Sequence, residues 1–107
     1  MTKENDAEAD GAPYHVLISD RASEALSSIH SKADARAVAR VIDLLDTVPY
    51  LGRAYDPLYD AARPDFETRV AYAGHFGVYY EVIEGEQREV HVLYIEDQRR
   101  DPLMRFS

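Results

Sequence analysis

Three runs of alternating apolar residues follow one another in the last third of the chain, and they constrain the fold more than any other feature. The runs begin near residue 66, at Phe76 and at Val90, and two short turn sequences, Ala73-Gly74 and Glu84-Gly85-Glu86-Gln87, separate them. Alternation with a period of two is typical of β-strands, and connections this short join antiparallel neighbours. The last third therefore predicts a meander of three strands.

The alternation also predicts which side chains share a face of each strand. On the first two strands the residues predicted to share a face are Phe66, Thr68, Val70 and Tyr72, then Phe76, Val78, Tyr80 and Val82. On the last strand, one side is predicted to carry Val90, Val92 and Tyr94, and the other His91, Leu93 and Ile95. Because both sides of this last strand are largely apolar, it is expected to lie centrally in the sheet.

A strand and two helices are predicted before the meander. The run Tyr14–Ile18 is rich in β-forming residues and predicts a first strand. Ser19 or Asp20 then offers an N-cap for a first helix, which carries apolar residues at helical spacing and is expected to run to about Ser31.

The second helix is predicted to begin at Asp34 as its N-cap. It carries an apolar stripe at positions i, i+3, i+4 and i+7, namely Val38, Val41, Ile42 and Leu45. The helix is expected to stop before Pro49, since a residue that precedes proline disfavours the α conformation. The predicted order is β-α-α-β-β-β, an α+β fold in which a helix hairpin covers one face of a small, mainly antiparallel sheet.

Length and composition predict one soluble domain. The chain has 107 residues and no cysteine, so it contains neither disulfides nor thiol chemistry. Residues 1–13 are polar and acidic and are expected to form a disordered tail, which leaves residues 14–107 as the single domain. No stretch resembles a signal peptide or approaches the roughly 20 apolar residues of a membrane span, so a cytoplasmic protein without membrane contact is expected.

The charge balance bears on the class of partner. Twenty acidic residues oppose twelve basic ones, which gives a net charge of −8. An acidic protein repels phosphate backbones at long range. Binding to nucleic acid would therefore need a local basic patch strong enough to overcome that repulsion.

The sequence contains no motif for a cofactor or metal. His15, His30 and His91 stand singly, without companion ligands at the spacings that metal sites use. Residues 49–65 form a predicted long loop with three tyrosines, Tyr50, Tyr55 and Tyr59. Those tyrosines are suited either to a partner-binding surface or to covering the rim of the core, and the sequence leaves both readings open.

The order of these elements, with two local motifs, resembles the RelE/ParE family, the toxins of type II toxin–antitoxin and plasmid stabilisation systems. The motifs are Val48-Pro49-Tyr50-Leu51-Gly52-Arg53 at the end of the second helix and Gln98-Arg99-Arg100-Asp101-Pro102 after the last strand. The resemblance covers roughly residues 14–103. It implies a bacterial protein that inhibits growth unless its cognate antitoxin binds it.

Two mechanisms are implied by this resemblance. RelE-like toxins are endoribonucleases that cut mRNA on the ribosome, whereas ParE-like toxins inhibit DNA gyrase without catalysis of their own. The implied partners are thus the antitoxin and either ribosome-bound mRNA or gyrase, in a homodimer or a toxin–antitoxin hetero-oligomer. A third interpretation, from a different class, is an inactive module that keeps the fold for protein–protein interaction.

The resemblance also assigns candidate catalytic residues. Arg69 matches the arginine that opens the second strand of the family, and Tyr80 matches the tyrosine that ends the third-strand signature. Arg99 and Arg100 form the best basic pair of the chain. In a ribonuclease these arginines would stabilise the charge that develops on phosphate, and the tyrosine would transfer a proton.

The sequence departs from the family at two positions of this assignment. Gly77 stands where an arginine often precedes the tyrosine by three residues, and Asp97 stands near a common histidine. Structural roles also remain open for each candidate: a pair of Arg69 with Glu67 or Glu81, a core position for Tyr80, and ion pairs of the basic residues with Glu96, Asp97 or Asp101.

Overall fold

A computed structural model describes residues 13–55 and 68–100 of the chain. Its elements in chain order are β1 (His15–Ile18), α1 (Asp20–Ser27), α2 (Lys32–Leu44), β2 (Arg53–Ala54), β3 (Arg69–Ala73), β4 (Phe76–Ile83) and β5 (Glu89–Asp97). The predicted α+β fold is confirmed, with β2 as one short strand that the sequence did not reveal. Residues 1–12 of the predicted tail, Tyr59, Phe66, Glu67 and residues 101–107 lie outside the described residues.

The five strands form one sheet in the order β1-β5-β4-β3-β2. Only β1 and β5 pair in parallel, and the other neighbours are antiparallel. The meander is therefore confirmed, and β5 lies between two other strands as expected. Neither helix is long and apolar enough to cross a membrane, as far as the described ranges extend.

Serine hydroxyls cap both helices. Ser19 accepts a hydrogen bond from the backbone N–H of Ala22, and Ser31 accepts one from that of Asp34, at 3.0 and 3.2 Å. The prediction of Asp34 as the second N-cap was therefore wrong by one turn. Asp34 lies in the first turn of α2 instead, where its charge is favourable at the positive end of the helix.

The apolar stripe of α2 packs on the sheet as predicted. Val38, Ile42 and Leu45 are buried in one cluster with the helix-facing residues of β3, β4 and β5. The helix ends at Leu44, before Pro49, and Leu45 caps its C-terminus. This packing fixes where the chain leaves the helix layer, just ahead of β2.

A β-bulge in β5 overturns the predicted faces of that strand. Tyr80 pairs with Val92 and Tyr79 pairs with Tyr94, so Leu93 is an extra residue in the ladder. After the bulge the alternation changes phase, and Ile95 joins Val92 on the side that the helices cover. Simple alternation had placed Ile95 on the opposite side.

The face of β3 also differs from the sequence pattern. The helices pack on Ala71 and Ala73, whose small side chains permit a close approach, whereas Val70 and Tyr72 project from the opposite face. Val70 is nevertheless buried there, and Tyr72 is exposed. The sheet therefore has apolar residues on both faces.

We predict that Leu45→Ala destabilises the protein by about 2–5 kcal/mol, because it removes a fully buried side chain from the cluster. Leu44→Ala is the matched control, since the neighbouring side chain is 43% exposed and should cost under about 0.5 kcal/mol. Chemical denaturation of the two variants measures the difference. Equal losses of stability would show that the stripe is not the core face.

Candidate functional site

Arg69 opens β3 and lies beside Tyr80 of β4. The two residues are partners in the antiparallel register, so they share the face of the sheet that lies towards the helices. The Nε and Nη2 atoms of Arg69 both donate to the carbonyl oxygen of Gly52, at 3.2 and 2.5 Å. The guanidinium carbon also lies 5.0 Å from the centre of the Tyr50 ring, a cation–π distance. Arg69 is thus engaged by the segment between α2 and β2.

The sequence left open a pair of Arg69 with Glu81, but Glu81 lies against His91 instead. Its carboxylate is 3.5 Å from Nδ1 of His91, and Nε2 of the same imidazole is 2.8 Å from Glu89. Glu67, the other carboxylate considered, lies outside the described residues. Arg69 therefore has a backbone carbonyl, not Glu81, as its hydrogen-bond acceptor.

Tyr80 is fully buried, with 0% of its surface exposed, in the cluster beneath the helices. Its hydroxyl oxygen accepts a hydrogen bond from the backbone N–H of Gly52 at 2.8 Å. A general acid or base must come within hydrogen-bond distance of the group it serves. A tyrosine at this depth does not reach a substrate unless the segment above it moves.

Gly52 binds both candidates through its backbone, and sequence analysis did not single it out. A Cβ atom at this position would lie 2.7 Å from the carbonyl carbon of Val70, 2.9 Å from the hydroxyl of Tyr80, and closer still to the carbonyl oxygen of Val70. Only glycine permits this approach without displacing the backbone of β3. In the sequence, Gly52 stood only within the motif Val48–Arg53, which did not indicate a role for the glycine itself.

Arg99 and Arg100 each pair with a carboxylate near the end of β5. The side chain of Arg99 donates to both carboxylate oxygens of Asp97, at 2.9 and 2.6 Å, while Arg100 donates to Glu96 at 3.1 Å. The hydrogen bonds from Arg99 lower the pKa of Asp97 from 3.8 to about 2. Asp97, which stands near the place of a common histidine in the RelE/ParE pattern, therefore orients Arg99.

The structure brings Arg69 and Tyr80 together and leaves the basic pair apart from them. Asp97 is the register partner of Phe76, whereas Tyr80 lies four residues further along the same strand. At about 3.3 Å per residue, that separation is roughly 13 Å. The four candidate residues therefore form two groups rather than one site.

A side chain at position 77 would require the neighbouring side chains to shift. A Cβ atom there would lie 2.6 Å from Nε2 of Gln98 and 2.9 Å from the ring of Tyr79. The Gln98 amide donates to the Tyr79 hydroxyl at 3.0 Å. A side chain at position 77 would thus have to displace the amide of Gln98, and it would also contact the buried ring of Tyr79.

A cluster of two tyrosines and one glutamate, also missed in the sequence, anchors the segment that carries Gly52. The hydroxyl of Tyr50 donates to the carboxylate of Glu84, and the hydroxyl of Tyr14 donates to both oxygens of the same group, at 2.9 and 3.0 Å. The hydrogen bond to Glu84 raises the pKa of Tyr50, and the same bond lowers the pKa of Glu84. Nothing in the sequence linked these three distant residues.

Within the described ranges, no group of three or more histidine, cysteine, aspartate or glutamate side chains is arranged to hold a metal ion.

The solved structures that share this fold include two complexes. The archaeal RelE–RelB complex from Pyrococcus horikoshii OT3 superposes with a TM-score of 0.62 at 21% identity, over 83% of this chain and 99% of the matched chain. The RelBE2 toxin–antitoxin complex from Mycobacterium tuberculosis superposes with a TM-score of 0.60 at 21% identity, over 80% of this chain and 92% of the matched chain. The chain thus has a RelE-like fold.

The sequence comparisons, unlike the structural comparison, found no match. No protein-family model matches the chain, and no curated protein sequence matches it. The fold that the resemblance implied is therefore confirmed. The roles of the site residues are inferred from the geometry described above.

We predict that Asp97 stabilises the protein at neutral pH and that this contribution is lost in acid. Its pKa in the folded state, about 2, lies below the ordinary value of 3.8, so the stabilisation is complete above about pH 4 and disappears as the pH falls towards 2. Unfolding free energies of the native protein and Asp97→Asn should therefore converge over that range. Asp43→Asn, which alters an exposed carboxylate of α2, is the control. A difference that stays constant between pH 7 and pH 2 would contradict the assignment.

We predict that Gly52→Ala lowers the free energy of unfolding by about 2 kcal/mol or more, because the added methyl group collides with the backbone of β3. Leu51→Ala is the neighbouring control, since that side chain is 45% exposed. Thermal unfolding of both variants provides the comparison. A Gly52→Ala protein as stable as the control would show that the segment does not approach β3 so closely.

Proposed function

We propose that this chain is the toxin of a type II toxin–antitoxin module and inhibits growth unless its antitoxin is bound. The observation that carries this proposal is the fold. The matched chains, which come from a RelE–RelB complex and the RelBE2 toxin–antitoxin complex, are covered almost completely by this chain. If the chain had this fold but did not inhibit growth, it would be the inactive interaction module considered above.

The proposed antitoxin contact includes an exposed apolar ridge that runs from the last residue of α2 to the residues before β2. Leu44, Val48, Tyr50 and Leu51 are all large and between 43% and 51% exposed. The backbone N–H of Val48 donates to Leu44, and that of Leu51 donates to Val48, so the turns place these residues side by side. Scattered exposed apolar residues need no explanation, but a contiguous ridge is typical of a protein interface.

For the mechanism we propose binding of a protein target, with DNA gyrase as the target that the ParE resemblance suggests. The geometry of the four candidate residues supports this choice over RNA cleavage. Tyr80 is buried, Arg69 donates to Gly52, and the basic pair donates to neighbouring carboxylates some distance away. A net charge of −8 also disfavours a long phosphate backbone.

The basic pair is the proposed contact with the target, because both side chains are at least half exposed while they remain oriented by carboxylates. An arginine held in this way loses less conformational entropy on binding than a free one. The pair lies at the opposite end of β4 from the apolar ridge. The antitoxin and the target would thus bind different surfaces of the protein.

The test is induced expression in bacteria, with growth, mRNA integrity and plasmid supercoiling followed together. We predict that the native chain arrests growth, changes supercoiling and leaves mRNA uncut. The double variant Arg99→Ala/Arg100→Ala should lose the arrest, because it removes the proposed contact. The control Arg36→Ala/Arg40→Ala removes the same charge from the exposed face of α2 and should arrest growth like the native chain.

The other outcomes identify the alternatives. Cut mRNA, together with arrest that Arg69→Ala abolishes while the fold stays intact by circular dichroism, would replace the proposed mechanism with ribonuclease activity. Absence of arrest at verified soluble expression would identify the inactive module. Co-expression of the product of a neighbouring gene should restore growth, and it should do so in the control variant as well.

A further inference from the structure

We propose that the outer edge of β1 pairs with the same edge of a second copy of this chain and joins the two sheets into one. The two strands run antiparallel, with Leu17 of each copy at the two-fold axis. This inference goes beyond the proposed function, because the outer edge of β1 includes neither the apolar ridge nor the basic pair.

The first observation is the direction of the peptide groups along β1. This strand lies at one end of the sheet and pairs there with β5. The backbone N–H groups of His15 and Ser19 donate to carbonyl groups of β5 and of the residue before it, both at 2.9 Å. Because peptide groups alternate in direction along a strand, those of Val16 and Ile18 point away from β5. Within the described ranges, neither of these two makes a backbone hydrogen bond outside the β1–β5 ladder.

The second observation is that this edge lacks the features that protect sheet edges from pairing. Natural proteins place charged residues, proline or a bulge on an exposed edge strand. The strand β1 reads His-Val-Leu-Ile, without lysine, proline or an acidic residue, and its register with β5 is regular. Leu17 is 48% exposed and Ile18 is 42% exposed. An apolar edge with outward peptide groups is suited to another strand rather than to water.

The register of the outward peptide groups fits the same strand in a second copy. An antiparallel neighbour must present outward groups at the residues that form its hydrogen-bonded pairs. With the axis at Leu17, Val16 of each copy lies opposite Ile18 of the other, and each such pair exchanges two hydrogen bonds. The two Leu17 side chains then meet as a non-hydrogen-bonded pair, in which side chains lie closest. Every outward peptide group of β1 thus finds a partner in one symmetric contact.

Charge and area set the strength of this contact. Two copies that each carry a net charge of −8 repel one another, but no acidic residue stands within the paired stretch. The open edge is short, since the N–H of Tyr14 donates to the carbonyl of Asp46 at 2.7 Å and α1 begins at Asp20. Such an edge buries less than the roughly 800 Å² per partner of a stable interface, so we expect a weak dimer with a dissociation constant of about 10–100 µM.

The test measures association by analytical ultracentrifugation from about 10 µM to about 1 mM, where a dimer of this strength forms. Leu17→Lys should weaken association at least about tenfold, because it places two positive charges opposite each other at the axis. Leu17→Glu should do the same, whereas an equimolar mixture of the two variants should dimerise. Leu51→Lys is the matched control, since its side chain on the apolar ridge is 45% exposed, and it should associate like the native chain.

A single introduced thiol shows independently which positions meet, because the native chain has no cysteine. In oxidised glutathione, Leu17→Cys should form a disulfide-linked dimer, since facing residues of a non-hydrogen-bonded pair lie within disulfide distance. Leu51→Cys should remain largely unlinked. Circular dichroism verifies that each variant is folded.

The remaining outcomes contradict the proposal. A native chain that stays monomeric over the whole concentration range would overturn it. Association that Leu17→Lys leaves unchanged, or equal cross-linking of Leu51→Cys, would place the dimer contact on another surface. A mixture of the Leu17→Lys and Leu17→Glu variants that stays monomeric would overturn the antiparallel register. None of these readouts depends on growth arrest, so the result is separate from that of the proposed function.

Discussion

The close approach of Gly52 to β3 is the constraint on which the rest of the described structure depends. The peptide groups on either side of its Cα bind Arg69 and Tyr80, and the absence of a side chain lets the segment lie against Val70. This contact ties the end of the helix layer to the sheet. It also gives Arg69 a structural task, since the guanidinium supplies donors to a carbonyl that would otherwise lose its hydrogen bonds to water.

The same contact explains why the RelE-like fold does not by itself identify a ribonuclease. A fold positions residues, but the chemistry depends on whether they are free and converge on one point. Here Tyr80 is in the core with Arg69 beside it at the middle of β4, whereas Arg99 and Arg100 lie near the start of that strand. At the start of β4, the amide of Gln98 lies beside Gly77, and Asp97 holds Arg99. Gly77 and Asp97 are the two departures from the family pattern. The first lies beside Gln98, and the second binds Arg99.

Local patterns in the sequence predicted the elements well, because each depended on neighbours in the chain. The stripe of α2 and the stop before Pro49 are of this kind. Long-range geometry was not accessible in the same way. The bulge at Leu93 changes the phase of β5, and nothing in its own alternation signals an extra residue. The cap at Ser31 was missed because Asp34 offered an equally good capping side chain three residues later.

The candidate site illustrates the same limit. Arg69 and Tyr80 could be singled out by resemblance, and the structure places them side by side, but their common partner is a backbone, which carries no side-chain signal. The hydrogen bond from Arg69 to Gly52 is therefore the most direct point to test. In a nitrogen-15 NMR spectrum, the Nε–H of Arg69 should exchange with water much more slowly than those of the exposed Arg36 and Arg40 in the same sample. An Arg69 Nε–H that exchanges as fast as those two would contradict the account of this site.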